Sequence, residues 1–214
     1  MDESRRSGHA ADEHGVSTAT ADTIQRVRRA ADGDEDAFRE LVRELYPSLR
    51  RWALAVTADS DEADEVVQRT LIRLHRGLPG FSGRSKLSTW TYRILARAAV
   101  DVARSRASGP DAVRPGADPT GAARASSAGS QEDPVRTLYA KRIAAEVGAL
   151  LASLPRRQRQ VLVLVDHEGR RPVEVAEMLG LRPVTVRANL FKARRTIRER
   201  ILARHPELTE GYGP

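Results

Sequence analysis

The sequence contains no cysteine, which excludes disulfides and thiolate chemistry. Aromatic residues make up only 4% of its 214 residues, so its cores must be built from small and aliphatic side chains, and the Ala/Arg/Leu bias favours helical ones. No apolar run approaches the ~20 residues that span a bilayer. The opening stretch MDESRRSGHAADEHG lacks the apolar segment of a secretory signal. A cytoplasmic protein with no membrane insertion is the expectation. Histidines are few and scattered (His9, His14, His75, His167 and His205), which gives no basis for a catalytic or metal cluster.

What is present is positive charge. The formal net charge is +7, and only three of the 36 cationic side chains are lysine. A polyanionic partner fits that balance. Five acids nevertheless crowd into seven residues at Asp59, Asp61, Glu62, Asp64 and Glu65. A divalent-metal site for phosphodiester hydrolysis needs carboxylates converging on one point. Consecutive helical acids fan over a wide arc instead, and no later Asp/His cluster completes a cage. The chain is expected to have no metal, no cofactor and no enzymatic activity.

Apolar periodicity predicts an all-α fold of two small helical domains joined by a flexible linker, the second containing a helix-turn-helix. Residues 1–20 form a polar extension expected to be disordered. In the first unit, residues 21–106, a short helix and a turn at Asp32-Gly33 precede a long helix. There Phe38, Leu41, Val42, Leu45, Leu49, Trp52, Ala53 and Val56 recur at three- and four-residue steps. Pro47 falls inside that run and is positioned to kink or divide it. A third helix over 61–76 turns Ala63, Val66, Val67, Thr70, Leu71 and Leu74 inward. After the glycine-rich GLPGFSGRSK a fourth begins, with Ser88 or Thr89 as a candidate N-cap. Residues 107–134 are rich in Pro, Gly, Ala and Ser and read as a flexible linker. The second unit, residues 135–206, carries helical pattern over 136–152, 156–167, 172–179 and 183–203. Residues 207–214 are a tail.

The stretch from Gly169 to Arg200 is the most informative. Pro172 and Pro183 each stand where a helix can start, because the missing N–H is harmless there. Val173, Ala176 and Leu179 share one face of the first helix, and Gly180 permits the reversal. Val186, Leu190, Ala193 and Ile197 face inward on the second. Its opposite face presents Thr185, Arg187, Ala188, Lys192 and Arg195, with Arg182 at the entrance. This is helix-turn-helix patterning, in which the start of the second helix enters the major groove. A solvated basic hairpin explains the arginines but not the joint, the small Ala176 and the glycine together.

The first unit leaves two readings open. Helix capping and the helix dipole account for one or two of the five acids; the remainder suit a basic protein surface. In FSGRSKLSTWTYRILAR, Arg84, Lys86, Arg93 and Arg97 interleave with Trp90 and Tyr92, as a backbone groove and an unstacked base require. Trp90 as plain core is the competing account.

With these motifs in place, the chain resembles the bacterial RNA polymerase sigma factors of the sigma-70 superfamily, in the extracytoplasmic-function group. GDEDAFRELVRELYPSLRRWA and DEADEVVQRTLIRLHRGLPGF resemble region 2, with Asp64, Val67, Gln68 and Leu74 on pattern. STWTYRILARAAVDVARSR resembles the promoter-melting, −10-reading segment. LASLPRRQRQVLVLVDHEGRRPVEVAEMLGLRPVTVRANLFKARRTIRE resembles region 4, which reads the −35 element. The resemblance implies a sigma factor that binds core polymerase, through its β′ clamp coiled coil and β subunit, and directs promoter recognition, melting and initiation.

By the same resemblance, Asp61, Asp64, Glu65, Gln68 and Arg69 would contact polymerase. Arg84, Ser85, Lys86, Thr89, Trp90, Arg93 and Arg97 would contact −10 DNA. Arg171, Arg182, Thr185, Arg187, Ala188, Asn189, Lys192 and Arg195 would contact the −35 element. Arg97 stands where the family usually has asparagine, so a phosphate contact is expected of it. Asn189 would serve an adenine if it faces the groove, and Ala188 a thymine methyl. An anti-sigma factor, which would hold the protein at the inner membrane face, is a further implied partner. The alternative is a stand-alone helix-turn-helix regulator that does not bind polymerase.

Overall fold

The computed structural model describes residues 12–107 and 134–206. Helix α1 (Asp12–Ala31) starts ten residues before the expected onset at Asp22, inside the stretch read as disordered. Its packed C-terminal half supplies the costly nucleus, and propagation from a formed turn is cheap. Residues 1–11, nearly all of the linker and the tail lie outside the described residues.

Asp34 ends the turn and caps α2 (Glu35–Thr57), accepting from the Ala37 amide at 2.9 Å while Arg29 holds its carboxylate at 2.6 Å. Burial along α2 follows the predicted stripe, with Leu41, Leu45, Leu49, Trp52, Ala53 and Val56 in the core and Phe38 packed at its margin. Pro47 does not divide the helix. It is exposed, as is Arg43 one turn back, so the carbonyl it leaves unpaired faces water. Ala58 ends α2 in the left-handed region (φ 64°), its amide bonded to Leu54 O at 2.9 Å.

Asp59 caps α3 (Ser60–Gly77) through the Glu62 amide at 2.8 Å. A 3₁₀ turn, Leu78–Gly80, leads to α4 (Leu87–Ala107). Neither Ser88 nor Thr89 caps that helix. It begins earlier, with Trp90 N bonded to Lys86 O at 3.1 Å, which places both residues in the first turn and buries Thr89.

In the second unit α5 (Pro134–Ala152) precedes α6 (Arg156–Leu162). The expected single helix over 156–167 instead widens into a π turn over Val163–His167, closed by Glu168 N on Val163 O at 3.1 Å. The helix-turn-helix comprises α7 (Pro172–Leu179) and α8 (Pro183–Arg204), joined through Gly180 at φ 64°, a conformation that glycine adopts without strain. Val186, Leu190 and Ala193 are buried as predicted. On α7 the prediction holds for Ala176, with Leu179 packed at the core margin, and fails for Val173. Val175, Ala176 and Met178 are buried, whereas Val173 is 60% exposed. The reason is that α7 packs on two partners, α8 and α4, so its apolar side is set by both.

The two helical units do not stand apart. One continuous apolar core contains Trp52, Tyr92 and Leu95 of the first and Val161, Leu164, Val175 and Met178 of the second.

Candidate nucleic-acid interface

The basic face of α8 is open to solvent. Arg182, Arg187, Ala188, Lys192 and Arg195 are exposed, and Thr185 is half-buried. Asn189 is turned back on its own helix, its Nδ2 donating to Thr185 O at 2.8 Å, so in this conformation it does not offer its amide to a groove. Arg171 is exposed beside Glu174, at 3.7 Å. Arg194, itself exposed, grips Asp166 with bonds of 2.5 and 2.9 Å, which ties α8 to the π turn. Two residues on the open face escaped sequence reasoning: Val184, 65% exposed, and Phe191, 68% exposed. With Ala188 they fall at steps of four and three, a signal that was present but was masked by the arginines around it.

On α3 the acids are partly accounted for locally. Asp59 is the cap; Glu62 pairs with Arg106 at 3.0 Å, Glu65 with Arg69 at 2.6 Å and Asp64 with Arg50 at 3.5 Å. Asp61 is exposed and makes no ion pair among the described residues, and Gln68, two turns further on, is exposed as well. Asp61, Asp64, Gln68 and the exposed Ile72 follow at steps of three, four and four, so one side of α3 offers two carboxylates, an amide and an apolar patch. Sequence reasoning did not anticipate Ile72. Among the described residues no group of three His, Cys, Asp or Glu side chains is placed to hold a metal ion. No described helix is long and apolar enough to cross a membrane. A further apolar strip, Tyr139, Ile143 and Val147, lies exposed on α5 at four-residue steps.

The segment read as the −10 surface is divided. Arg84 and Arg97 are exposed, and Ser85 is half-buried. Thr89 is buried at 4% exposure and reaches no ligand from outside in this conformation. Trp90 is half-buried, its ring 5.1 Å from Phe81 and set over Gly77, where a Cβ would come within 3.3 Å of it, so it packs the loop as core rather than standing free to stack. Tyr92 is fully buried, edge-on to Trp52 at 5.4 Å, and its hydroxyl accepts from Gln160 Nε2 at 3.0 Å; burial pushes its phenol up.

Lys86 and Arg93 meet acids from the second unit. Lys86 Nζ lies 2.5 Å from Glu174, and Arg93 lies 3.7 Å from the Glu177 carboxylate and donates to the Glu177 carbonyl at 3.4 Å. Deeper in the same contact the Glu168 side chain, 6% exposed, takes Arg51 at 3.2 Å and Arg170 at 3.1 Å. Arg170 also donates to Ser88 Oγ at 3.2 Å and lies 5.6 Å over the Trp52 ring. Arg159, 5% exposed, donates to Ala55 O at 2.8 Å and to the end of α5, where helix C-termini favour a cation; burial lowers its pKa.

The Lys86 ammonium and the Arg171 amide hold the Glu174 carboxyl down from 4.5 to about 2. A depressed acid contributes stability above its unfolded value and loses it as pH falls towards the folded one. The melting difference between the protein and Glu174→Gln should therefore be full above pH 4.5 and vanish towards pH 2. Because Lys86 is 67% exposed, the difference should be small and shrink with salt. A difference that persists unchanged at pH 2 would contradict the pairing.

The family model for Sigma-70 region 2 matches residues 41–109, and the model for Sigma-70, region 4 matches residues 144–197. The chain is 31% identical over 166 residues to the ECF RNA polymerase sigma factor SigM of Mycobacterium tuberculosis, across 76% of each chain. It is 31% identical over 175 residues to the RNA polymerase sigma-H factor of Pseudomonas aeruginosa, across 81% of this chain and 90% of that one. A solved structure of the sigma factor RpoE in complex with the anti-sigma factor NepR, from Bartonella quintana, aligns with a TM-score of 0.59 at 21% identity. It covers 76% of this chain and 94% of that chain, a likeness of fold.

Proposed function

From a chain that belongs to the extracytoplasmic-function group of the sigma-70 family, we propose a sigma factor whose two units divide the work of initiation. The first binds core RNA polymerase and opens the −10 element; the second reads the −35 element as duplex. The observation that carries this reading is the solvent-open basic face of α8 in one unit, beside an acid–amide–apolar face of α3 in the other.

Asp61, Asp64, Glu65, Gln68 and Arg69 supply the contact with the β′ clamp coiled coil, extended by Ile72. The α5 strip of Tyr139, Ile143 and Val147 is an apolar surface suited to the β subunit. Arg84, Lys86, Arg93 and Arg97 follow the −10 backbone. Thr89 and Trp90 enter that contact only if the loop from Phe81 to Leu87 rearranges, because one is buried and the other packed on Phe81. An anti-sigma partner, as in the RpoE–NepR complex, is the class of regulator this fold accommodates, and one anchored in a membrane would hold the protein at the inner face.

On α8, bases and phosphates are read by different residues. Arg187, near the helix start, pairs with a base edge in this reading; Arg198, three turns on, takes a phosphate. Arg187→Ala should cost ~1–3 kcal/mol of discrimination between a matched and a scrambled −35 duplex. Arg198→Ala should weaken both duplexes alike and lower the salt slope by about 1. Titrations of each variant at two salt concentrations test the assignment, and equal losses of discrimination in the two variants would overturn it.

A further inference from the structure

Of the ten large apolar side chains exposed among the described residues, four fall on one stretch of α5: Leu138, Tyr139, Ile143 and Val147. Their face continues a buried one. Leu150, one turn beyond Val147, is 7% exposed and belongs to the core. Helix α8 ends beside Glu146, with His205 at 3.3 Å and Arg204 at 3.8 Å, and the residues of α5 before that point lie uncovered. An uncovered apolar face of this kind marks a contact surface. We propose that a second copy of this chain covers it, α5 packed antiparallel on α5 about a two-fold axis.

The face is self-complementary in shape and in charge. Tyr139, Ile143 and Val147 form a row at four-residue steps, so a two-fold axis at Ile143 sets Tyr139 of each copy against Val147 of the other. Arg142 and Glu146, also four residues apart, form the row beside it. The same axis brings Arg142 of one copy level with Glu146 of the other to within about 3 Å along the helix, a difference of two residues. A parallel pairing would set Arg142 against Arg142 and lose both attractions.

Both charged groups are able to take a new partner. Arg142 is exposed and makes no ion pair among the described residues. His205 and Arg204 both approach Glu146 at Oε1, which leaves Oε2 for a further donor. Exposed ion pairs contribute little by themselves, so the apolar row supplies the attraction and the charged row sets the register. The strip is small beside the ~800 Å² per partner of a standard interface, and the dimer is accordingly weak and concentration-dependent. This inference does not depend on the reading of the strip as a contact for the β subunit; where both hold, pairing and that contact exclude each other.

Sedimentation equilibrium of the full chain tests the pairing at about 0.15 M salt, where repulsion between copies of charge +7 is screened beyond ~8 Å. The weight-average mass should rise from the monomer's 23.6 kDa towards twice that value between roughly 10 and 500 µM, as a small interface implies. Ile143→Asp should hold the mass at the monomer value. Val173→Asp, the same kind of change at an exposed apolar residue of α7, should leave the rise intact.

Charge exchange tests the register. Arg142→Glu and Glu146→Arg should each weaken association about tenfold or more, because each sets like charges against one another twice across the axis. An equimolar mixture of the two variants should restore association, which only the antiparallel arrangement allows. Circular dichroism of each variant separates this from misfolding, since Glu146→Arg also gives up the contacts with His205 and Arg204. A monomer at every concentration would overturn the proposal. A mass rise that Ile143→Asp leaves unchanged would also overturn it, by placing self-association elsewhere. If dimers form only after residues 207–214 are removed, the chain's own tail is the cover of α5 and the proposal fails. Two folded variants whose mixture stays monomeric would sink the antiparallel pairing.

Discussion

Trp52→Ala is expected to cost about 3–5 kcal/mol of folding stability, the range for truncating a large buried aromatic side chain. That is a large fraction of the 5–15 kcal/mol that typically separates folded from unfolded domains. Trp52 is 1% exposed, packs edge-on to Tyr92 of α4, and lies under the Arg170 guanidinium from the second unit. Removing it opens a cavity where α2, α4 and the second unit meet, so both the first unit's core and the contact between units should weaken. Urea unfolding followed by circular dichroism measures this, with Trp52→Phe as the milder comparator. A loss below about 1 kcal/mol for the alanine variant would mean that this junction is not packed as described.

Asp64→Arg should reduce the affinity for core polymerase by several kcal/mol, because a like charge set against a basic partner surface replaces attraction with repulsion. Asp64 is 58% exposed, and its pair with Arg50 is long at 3.5 Å, so the fold depends on it little. A helix-dipole role predicts something else: a stability loss of up to roughly 1 kcal/mol and unaltered polymerase binding once folded. Melting curves alongside a core-polymerase titration separate the two outcomes. Full affinity in a folded Asp64→Arg protein would remove this residue from the interface.

Helices were legible where they are long enough to repeat their pattern over many turns. The α2 and α3 stripes could be read almost residue by residue from apolar positions at three- and four-residue spacing, although Val42 stays outside the core. The same logic misplaced Val173, since α7 has only eight residues and packs on both α8 and α4. The basic, aromatic segment was legible as a surface but not in its details. Sequence shows that Trp90 neighbours cations, yet nothing in it reveals that Gly77 leaves room for its ring against Phe81. Asn189 presents a similar limit, because its choice between a groove and Thr185 O is settled by local geometry. Least legible was the contact between units. Arg51 meets Glu168 across 117 residues of sequence, and with 36 cations and 29 acids no pattern singles out that pair. The glycine- and proline-rich stretch between the units marks a boundary and carries no information about whether the units then pack together.

The central claim is that this chain confers promoter choice on polymerase. Sigma-free bacterial core RNA polymerase, with and without the full chain, should be offered a pool of templates carrying randomised upstream sequence, and the 5′ ends of the transcripts sequenced. The account predicts new start sites that depend on the chain and share two upstream motifs at a fixed spacing, and their loss with Asp64→Arg. An unchanged start-site profile, from a chain that nevertheless binds duplex DNA through α8, would contradict the account and identify a helix-turn-helix regulator instead.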